Sequence, residues 1–343
     1  MNIWIDIENA PHVPLFNIIV KELKNRGHEV SVTLRDCQNS EELANEYKME
    51  FTLFGRQSKS RIKIVKMFSV LLRVVRLTLW AMGKNIDMSV CHMSRAQSIA
   101  SRLLKIPIIN MFDYEFVNLS LVLSKNTVLS VPEAIPVSNL GKNILKKINK
   151  IEKYPGFKEL VYSKADNDVS EIKKNLRIEE DEIVVILRPP ASKAHYHNPK
   201  SESLFISIIE YLGRGSNLKI IVLPRYEEQR NVLKSTLRDN KKFIIPEEQI
   251  KNEKLLGMAD LLISGGGTMN REAVALNIPA YTYFSGKQGA LDESMIKDNL
   301  IKKISSVQDI EKIKLIKYEG AKQKTAPGPL NFIIELIESE LRS

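Results

Sequence analysis

Short apolar runs alternate with helical patterns along nearly the whole chain, and this alternation is the feature that most restricts the fold. Each run has the length and composition of a buried strand, and the segment after it carries apolar residues at helical spacing. A repeated strand and helix unit predicts parallel sheets joined by right-handed crossovers, which is the α/β class. The predicted strands are Ile3–Ile7, Glu29–Leu34, Met88–Cys91, Ile106–Met111, Thr127–Val131, Ile183–Leu187, Leu218–Leu223, Phe243–Ile245, Leu261–Ile263 and Ala280–Tyr283.

Helices are predicted between these strands, and two of them have clear end signals. Gly27 follows the first helix as a C-terminal stop, and the side chain of Ser40 can cap the second. Apart from the helix that begins near Ser40, the predicted helices are Leu15–Arg26, Ala96–Leu104, Ser201–Leu212, Glu227–Leu237, Glu253–Met258 and Leu330–Leu341.

A polar and charged stretch from about residue 165 to residue 181 interrupts the alternation. At 343 residues and 43% hydrophobic composition, the chain is long enough to bury two cores. We therefore predict two doubly wound domains, residues 1–165 and 166–327, with a last helix over residues 328–343 that packs back on the first domain. Ligands bind at the carboxyl ends of strands in such sheets, so the cleft between the domains is the expected site.

A basic segment contributes strongly to the net charge of +10. Residues 51–86 contain eight basic side chains and no acidic one, and a helix is predicted over residues 61–83. Two interpretations stay open: a helix that packs on the core with a solvated basic face, or an amphipathic helix on an anionic membrane surface. The basic residues fall mostly opposite an apolar stripe formed by Val65, Phe68, Leu72, Val75, Leu79 and Met82.

Other features restrict the class of protein. No nucleic-acid motif accompanies the basic residues, so nucleic acid is not an expected partner. Cys37 and Cys91 lie far apart, as expected for reduced thiols, and His195 and His197 lack a third ligand nearby, so no metal site is expected. No apolar run is long enough to span a membrane, and Ile3–Asp6 opens the chain without a basic leader. We expect a cytoplasmic protein, and the oligomeric state stays open.

The segment after Leu261–Ile263 has the most specific local pattern, because an apolar run ends in three glycines and a helical pattern follows. Glycines let the backbone approach a ligand closely, and a helix N-terminus offers N–H groups to an anion. A glutamate one turn into the helix can reach sugar or ribose hydroxyls. The pattern predicts a nucleotide-sugar diphosphate site, and the alternative is an ordinary strand-to-helix turn. The candidate binding residues are Ser264, Gly265, Gly266, Gly267, Thr268 and Glu272.

Five acidic or basic side chains lie at or after the ends of strands of the first domain. His12 is the best single candidate for a general base, because the ordinary pKa of histidine lies near 6.5, although it can instead cap the next helix. Asp6 and Glu8, at the end of the first strand, are alternative bases. Asp113 and Glu115 are alternate residues at a strand end and would point the same way in an extended chain, which would suit paired acid–base work unless one caps a helix.

Arginines and polar residues follow strands of the second domain. Arg188 and Arg225 each come after a buried strand, where a guanidinium suits a phosphate or, alternatively, a carboxylate of the other domain. The residues predicted to contact the sugar are Lys287, Gln288 and Asp292.

The same stretches resemble a known family, and the chain is identified as a member of the domain-of-unknown-function family 354. The likeness covers almost the whole chain and implies no function, because that family is poorly characterised. The stretches that carry it are Ile5–Pro14, Leu187–Ala191 with residues 195–197, Leu223–Arg225, Ser264–Met269 and Arg271–Ala273.

A broader resemblance is to glycosyltransferases of the GT-B fold and to the UDP-N-acetylglucosamine 2-epimerases that share it. The local pattern is similar to that of the transferase family that makes lipid II. That family has a His-Val-x-Pro step like the one that begins at His12, and it has a glycine, a glutamate and a proline at the spacing of Gly266, Glu272 and Pro279. That resemblance implies that Gly265–Thr268 bind the diphosphate and that Glu272 holds the ribose.

The chain also departs from both families. Residues 9–12, Asn-Ala-Pro-His, replace the Gly-Gly-His turn of the transferases, and the glycine segment is longer than that of the epimerases. Asp113 and Glu115 stand where the epimerases place acids. Both reactions therefore stay open.

These observations predict a metal-independent glycosyltransferase without a cofactor, which uses a UDP-linked sugar donor on a lipid-linked or cell-envelope acceptor. The helix over residues 61–83 would meet that acceptor at the inner face of the membrane. One alternative is a UDP-N-acetylhexosamine 2-epimerase, and another is a non-catalytic nucleotide-sugar-binding protein.

Overall fold

The computed structural model describes residues 1–37, 39–57, 62–117, 123–140, 145–191, 198–248, 250–323 and 328–341. His195 and His197 lie outside the described residues. The chain divides into two compact units. Unit 1 comprises Met1–Tyr162 and Gly328–Ser343, and unit 2 comprises Ser163–Pro327.

Unit 1 is built on a parallel sheet. Its strands are β1 (Asn2–Ile7), β2 (Glu29–Asp36), β3 (Thr52–Arg56), β4 (Met88–His92), β5 (Ile108–Met111), β6 (Thr127–Pro132) and β7 (Lys150–Tyr154). Across the sheet they lie in the order β3-β2-β1-β4-β5-β6-β7, so the strand order reverses between β1 and β4. Its helices are α1 (Val13–Asn25), α2 (Ser40–Glu46), α3 (Lys63–Met82), α4 (Arg95–Leu104), α5 (Glu159–Tyr162) and the C-terminal helix Leu330–Glu340.

The main core of unit 1 lies where β1 meets α1 and the C-terminal helix. Ile5 of β1, Phe16 of α1 and Ile334 of the C-terminal helix are fully buried in one apolar cluster. Burying such a side chain stabilises the fold by about 1.5–3 kcal/mol. The end of the chain is therefore part of the unit that carries its beginning.

Unit 2 repeats the architecture with its own parallel sheet. Its strands are β8 (Ile183–Arg188), β9 (Leu218–Val222), β10 (Phe243–Ile244), β11 (Leu261–Ser264), β12 (Ala280–Thr282) and β13 (Ile301–Lys303). They lie in the order β10-β9-β8-β11-β12-β13, with the reversal between β8 and β11. Its helices are α6 (Ser170–Asn175), α7 (Pro199–Arg214), α8 (Glu227–Leu237), α9 (Asn252–Met258), α10 (Thr268–Ala275), α11 (Ala290–Lys297) and α12 (Val307–Ile310).

The predicted fold class, two doubly wound α/β units, is confirmed. The strands that the sequence pattern missed are β3, β7 and β13, and each forms an edge of its sheet. An edge strand has one open side and tolerates polar residues, so it lacks the apolar run that identifies a central strand. The prediction that Ser40 caps α2 is wrong. Its hydroxyl donates to the Arg35 carbonyl and accepts from the Cys37 N–H, while Asn39 holds the N-cap position.

Helix α3 packs on the core, as one of the two open interpretations had it, but not through the apolar stripe that the sequence indicated. The six residues of that stripe, from Val65 to Met82, are 41–65% exposed. The buried face consists of Val74, Leu77 and Ala81, which pack in one cluster with Trp4 and the small residues of α4. The helix is therefore apolar on two opposite sides, and its spacing alone does not tell which side is covered.

Candidate functional site

The candidate site of unit 1 lies at the carboxyl ends of β1 and β4. Because the strand order reverses between these two neighbours, their carboxyl ends open a crevice of the kind that binds ligands in doubly wound sheets. After β1, the chain passes through Glu8 and a 3₁₀ turn, Ala10–His12, before α1 begins. After β4, Ser94 caps α4 by accepting a hydrogen bond from the Gln97 N–H.

Asp6 is buried at the end of β1 and is fully engaged in hydrogen bonds. Its carboxylate accepts two bonds from the Arg73 guanidinium, at 2.7 and 3.0 Å, and further bonds from the hydroxyls of Ser94 and Thr33. Thr33 also accepts from the Trp4 indole at 2.8 Å. These contacts favour a role for Asp6 as the anchor that ties α3 to the sheet, in place of the alternative base that the sequence indicated.

Glu8 is likewise held by neighbours. One carboxylate oxygen accepts a bond from the Arg35 guanidinium at 2.9 Å, and the other accepts from the backbone N–H of Arg95 at 3.3 Å. Glu8 therefore links the carboxyl ends of β1 and β2 to the start of α4.

His12 lies at the end of the 3₁₀ turn with 9% of its surface exposed, and it makes no side-chain capping bond to α1. Its ring packs against that of His92 at an interplanar angle of 33°, with centroids 4.1 Å apart. Within the described residues, the Nδ1 atom is buried and has no hydrogen-bond partner. Burial, then His92 and the Lys158 ammonium, hold the pKa of His12 well below its ordinary value, and Asp113 opposes them. The lowered pKa favours the neutral form of the ring at pH 7.

Asp113 and Lys158 complete this group of side chains, which we call the histidine cluster: His12, His92, Asp113 and Lys158. Asp113 lies 3.7 Å from Nε2 of His92, and its other oxygen is bound by the Lys158 ammonium. Lys158, only 3% exposed, also pairs with Glu159 at 3.0 Å. Nothing in the sequence pattern marks His92 or Lys158, because Asp113, which both contact, lies in a distant part of the chain.

Asp113 and Glu115 were expected to point the same way if the chain were extended at the strand end, and this expectation is wrong. The strand β5 ends at Met111, so the chain is no longer extended at these residues. Asp113 contacts the histidine cluster, whereas Glu115 accepts a bond from Asn139 at 3.4 Å. The two carboxylates therefore have different partners.

The candidate site of unit 2 begins at the carboxyl end of β11, beside the reversal with β8. Gly266 and Gly267 have φ values of +91° and +102°, which side chains rarely adopt. A Cβ on Gly265 would lie 3.0 Å from Pro190, and one on Gly266 would lie 3.1 Å from Phe284. Ser264 closes the turn by accepting a bond from the Gly266 N–H at 3.1 Å.

Helix α10 starts directly after this glycine turn. Thr268 is its first residue, Gly267 is its N-cap, and the N–H of Asn270 donates to the Gly267 carbonyl at 3.2 Å. A helix N-terminus carries partial positive charge, which suits an anion. One turn later, the half-exposed Glu272 accepts a bond from Nδ2 of Asn252 at 2.7 Å. The neighbouring Arg271 is turned inward and pairs with Asp292 at 2.7 Å.

The two arginines of unit 2 lie at the carboxyl ends of neighbouring strands. Arg188 ends β8, and its carbonyl accepts a bond from the Tyr283 hydroxyl at 2.6 Å. Arg225 follows β9, and its Nε donates to the Pro189 carbonyl at 3.0 Å. This bond orients the Arg225 guanidinium at the carboxyl ends of the strands.

The three predicted sugar contacts differ in their surroundings. Lys287 is exposed. Gln288 is buried, and its carbonyl oxygen has no hydrogen-bond partner in the described part of the chain. Asp292 accepts hydrogen bonds from the Arg271 guanidinium, so its carboxylate supports α10.

Two wider properties concern the described residues only. They contain no group of three or more histidine, cysteine or acidic side chains that could hold a metal ion. None of their helices combines the length and the apolar composition that a membrane span requires.

Solved enzymes share this fold, which is of the GT-B type. A UDP-GlcNAc 2-epimerase from Neisseria meningitidis, solved with UDP-GlcNAc bound, is similar over 100% of both chains, with a TM-score of 0.74 and 15% identity. MurG from Acinetobacter baumannii is similar over 98% of this chain and 99% of its own, with a TM-score of 0.56 and 13% identity.

In sequence, the chain is similar to the uncharacterized protein MJ0665 of Methanocaldococcus jannaschii. The two are 27% identical over 312 residues, which is 88% of this chain and 87% of its relative. The family predicted from the motifs is confirmed, because the match extends over residues 1–341, and the chain belongs to the family described as Protein of unknown function (DUF354).

Proposed function

We propose that this protein is a glycosyltransferase that takes its sugar from a nucleotide-sugar donor, which we assign as UDP-linked. The observation that carries the proposal is His12, a buried and neutral histidine whose Nδ1 atom has no partner within the described residues. Such a ring suits the general base that transfer to a hydroxyl acceptor requires.

Donor binding is assigned to unit 2. The first turn of α10 and the fixed guanidinium of Arg225 supply positive potential for the diphosphate. Glu272 accepts hydrogen bonds from the ribose hydroxyls, and the buried carbonyl oxygen of Gln288 accepts one from a hydroxyl of the sugar. Lys287 and Arg188 are assigned to the outer part of the same site. The UDP-GlcNAc bound to the Neisseria epimerase of the same fold supports a UDP-linked donor.

The chemical step divides between the two groups of residues. His12 takes the proton of the acceptor hydroxyl at Nδ1, and the oxygen forms a bond to the anomeric carbon. The bond from that carbon to the diphosphate oxygen breaks, and the diphosphate leaves with the electron pair. The helix N-terminus and Arg225 stabilise the charge that develops, so the step as proposed needs no metal ion.

A UDP-N-acetylhexosamine 2-epimerase is the second candidate. The higher TM-score with the Neisseria epimerase, 0.74 against 0.56 for MurG, favours it, as does an acid at the end of β5. Epimerisation at C2 needs groups that remove and return a proton. Asp113 is ion-paired with Lys158, and Glu115 has a different partner, so we rank this reaction second.

The fate of the sugar separates these candidates. The protein is incubated in deuterated water with UDP-N-acetylglucosamine, radiolabelled in the sugar, and with extracted membrane lipids as acceptors. We expect the label to enter the lipid fraction. Deuterium at C2 of the sugar would contradict transfer and support the epimerase. Bound but unchanged UDP-N-acetylglucosamine, with no turnover on any acceptor tested, would support a non-catalytic binding protein.

The same proposal includes a partner for α3, an anionic phospholipid surface that would present a lipid-linked acceptor. The apolar face of α3 is 41–72% exposed, and the exposed Arg76 lies beside it. The segment around the helix, residues 51–86, is basic without an acidic residue, which complements anionic headgroups. We define this face as Ile62, Ile64, Val65, Met67, Phe68, Leu71, Leu72, Val75, Leu79 and Met82.

A vesicle experiment tests the membrane assignment. Cosedimentation with vesicles of anionic phospholipid should show binding that weakens with salt, because the headgroup attraction is screened. Changing Leu71 and Leu79 together to glutamate should weaken that binding by about tenfold or more, since burial of each apolar side chain is lost. Substituting Ile206 and Val232, exposed apolar residues of unit 2, in the same way is the matched control and should leave binding unchanged.

Two results would contradict the membrane assignment. Equal binding by the wild type and the Leu71→Glu, Leu79→Glu variant would remove the role of α3. A stable dimer that the same variant dissociates, without any vesicle binding, would assign the face to a second copy of the chain.

A further inference from the structure

The contact between Asn252 and Glu272 joins two helices of unit 2 at the proposed ribose site. Nδ2 of Asn252, the first residue of α9, donates to Oε2 of Glu272 at 2.7 Å. Both residues are half-buried, so the bond lies at the protein surface and not in the core. Nothing in the sequence pattern marks Asn252, because Glu272 is 20 residues away and in another helix.

The start of α9 is fixed on its other side, independently of any ligand. The backbone N–H of Asp166 donates to the Glu253 carbonyl at 3.0 Å, and Lys254 pairs with Asp166 at 2.9 Å. A Cβ on Gly257 would come within 1.8 Å of the Asp166 carbonyl oxygen, so this helix lies directly against the Asp166 backbone. Asn252 is therefore held in place before a nucleotide arrives.

A carboxylate offers about four acceptor positions on its two oxygens, and Asn252 takes one of them. The amide also restricts rotation of the carboxylate, which reduces the ordering that ligand binding would otherwise require.

We propose that Asn252 is a positioning residue that sets the Glu272 carboxylate to recognise the 2′-hydroxyl of a ribonucleotide. This inference rests on the proposed function, because it assumes that unit 2 binds a nucleotide. It goes further in assigning sugar discrimination, ribose over 2′-deoxyribose, to a residue that does not itself need to contact the ligand.

Calorimetric titration with UDP and with 2′-deoxy-UDP tests the proposal. The wild type should bind UDP about tenfold or more tightly than 2′-deoxy-UDP, because a hydrogen bond to a carboxylate is lost in the analogue. Asn252→Leu keeps the approximate shape of the side chain but removes the donor. It should weaken UDP binding by about tenfold and affect 2′-deoxy-UDP less, so that the ratio of the two affinities narrows.

A second variant guards against misfolding of the first. Asn252→Asp has nearly the same shape and replaces the donor with a second carboxylate close to that of Glu272. It should reduce the ratio of the two affinities at least as far as Asn252→Leu does, because the two carboxylates repel each other. Circular dichroism and thermal unfolding are recorded for each variant.

The outcomes separate this inference from the proposed function. If the wild type binds UDP more tightly than 2′-deoxy-UDP and both variants keep the same ratio of affinities, Asn252 does not position Glu272. Nucleotide binding would then still stand. If the variants bind both ligands more weakly by the same factor and melt at a lower temperature, the inference is likewise overturned and Asn252 has a structural role only. A folded wild type that binds both ligands equally would also overturn it. A folded wild type that binds neither would overturn the proposed function, and this inference with it.

Discussion

Replacing His12 with glutamine is expected to lower kcat for sugar transfer by about 10²- to 10⁴-fold, the usual contribution of a general base. Glutamine fills similar space but cannot take the proton of the acceptor. Nucleotide-sugar binding, measured by calorimetry, should stay unchanged, because His12 belongs to unit 1 and the donor residues belong to unit 2. His28→Gln is the matched control, since His28 contacts Glu338 of the C-terminal helix and not the histidine cluster. A variant His12→Gln with wild-type kcat would contradict the assignment.

The pH dependence of kcat should reveal the lowered pKa of His12. Only the neutral ring can act as a base, and its pKa lies below the ordinary value of 6.5. Activity should therefore rise with pH along an acid limb whose midpoint is below 6.5. The groups that face the ring are His92, Asp113 and Lys158. Lys158→Met removes a cation that lowers the pKa of His12, so it should move the midpoint to higher pH. A wild-type midpoint above 6.5, or no movement in a folded Lys158→Met variant, would contradict this account.

Replacing Arg73 with methionine is expected to lower the free energy of unfolding of unit 1 by about 3–5 kcal/mol, because it leaves the Asp6 carboxylate buried without its counter-ion. Asp6 is 1% exposed and Arg73 is 5% exposed, so water cannot replace the lost bonds without opening the structure. Urea unfolding followed by tryptophan fluorescence is a suitable measurement. The two tryptophans of the chain, Trp4 and Trp80, both belong to or pack on the apolar cluster of unit 1 that covers the buried face of α3.

Arg76→Met provides the control, because Arg76 is an exposed arginine on the same helix. It should change the free energy of unfolding by no more than about 0.5 kcal/mol. Adding Asp6→Asn to Arg73→Met should recover part of the loss, since the unpaired charge is then removed. Equal stability of the Arg73→Met and Arg76→Met variants would show that the buried pair does not anchor α3.

Much of the fold could be predicted from the sequence, because a central strand of a parallel sheet is mostly apolar. Ile183–Leu187 is such a run, Ile3–Ile7 is one apart from Asp6, and both form strands at the centres of their sheets. The edge strands β3 and β7 could not be found in this way, since one side of each is open to solvent. The apolar spacing in α3 was also ambiguous. The helix has two apolar sides, and its packing against Trp4 and the small residues of α4 decides which one is covered.

The candidate sites were predictable where a local pattern carries the chemistry. Two of the three glycines before α10, Gly266 and Gly267, adopt positive φ, and a run of glycines that permits such a turn is readable in the sequence. Electrostatic neighbours are not readable in this way. Arg73 lies 67 residues from Asp6, and Lys158 lies 45 residues from Asp113. Long-range pairs of this kind decide which acid serves as an anchor and which histidine stays neutral, so they required the structure.

The most direct test of the central claim is calorimetric titration of UDP into the wild type, Glu272→Ala and the control Glu293→Ala, whose side chain is exposed on α11. The account predicts binding by the wild type and the control. Affinity should fall by about tenfold to a hundredfold in Glu272→Ala, through loss of hydrogen bonds to a charged group. A folded wild type that binds no UDP, or a Glu272→Ala variant that binds it as tightly as the wild type, would contradict the account.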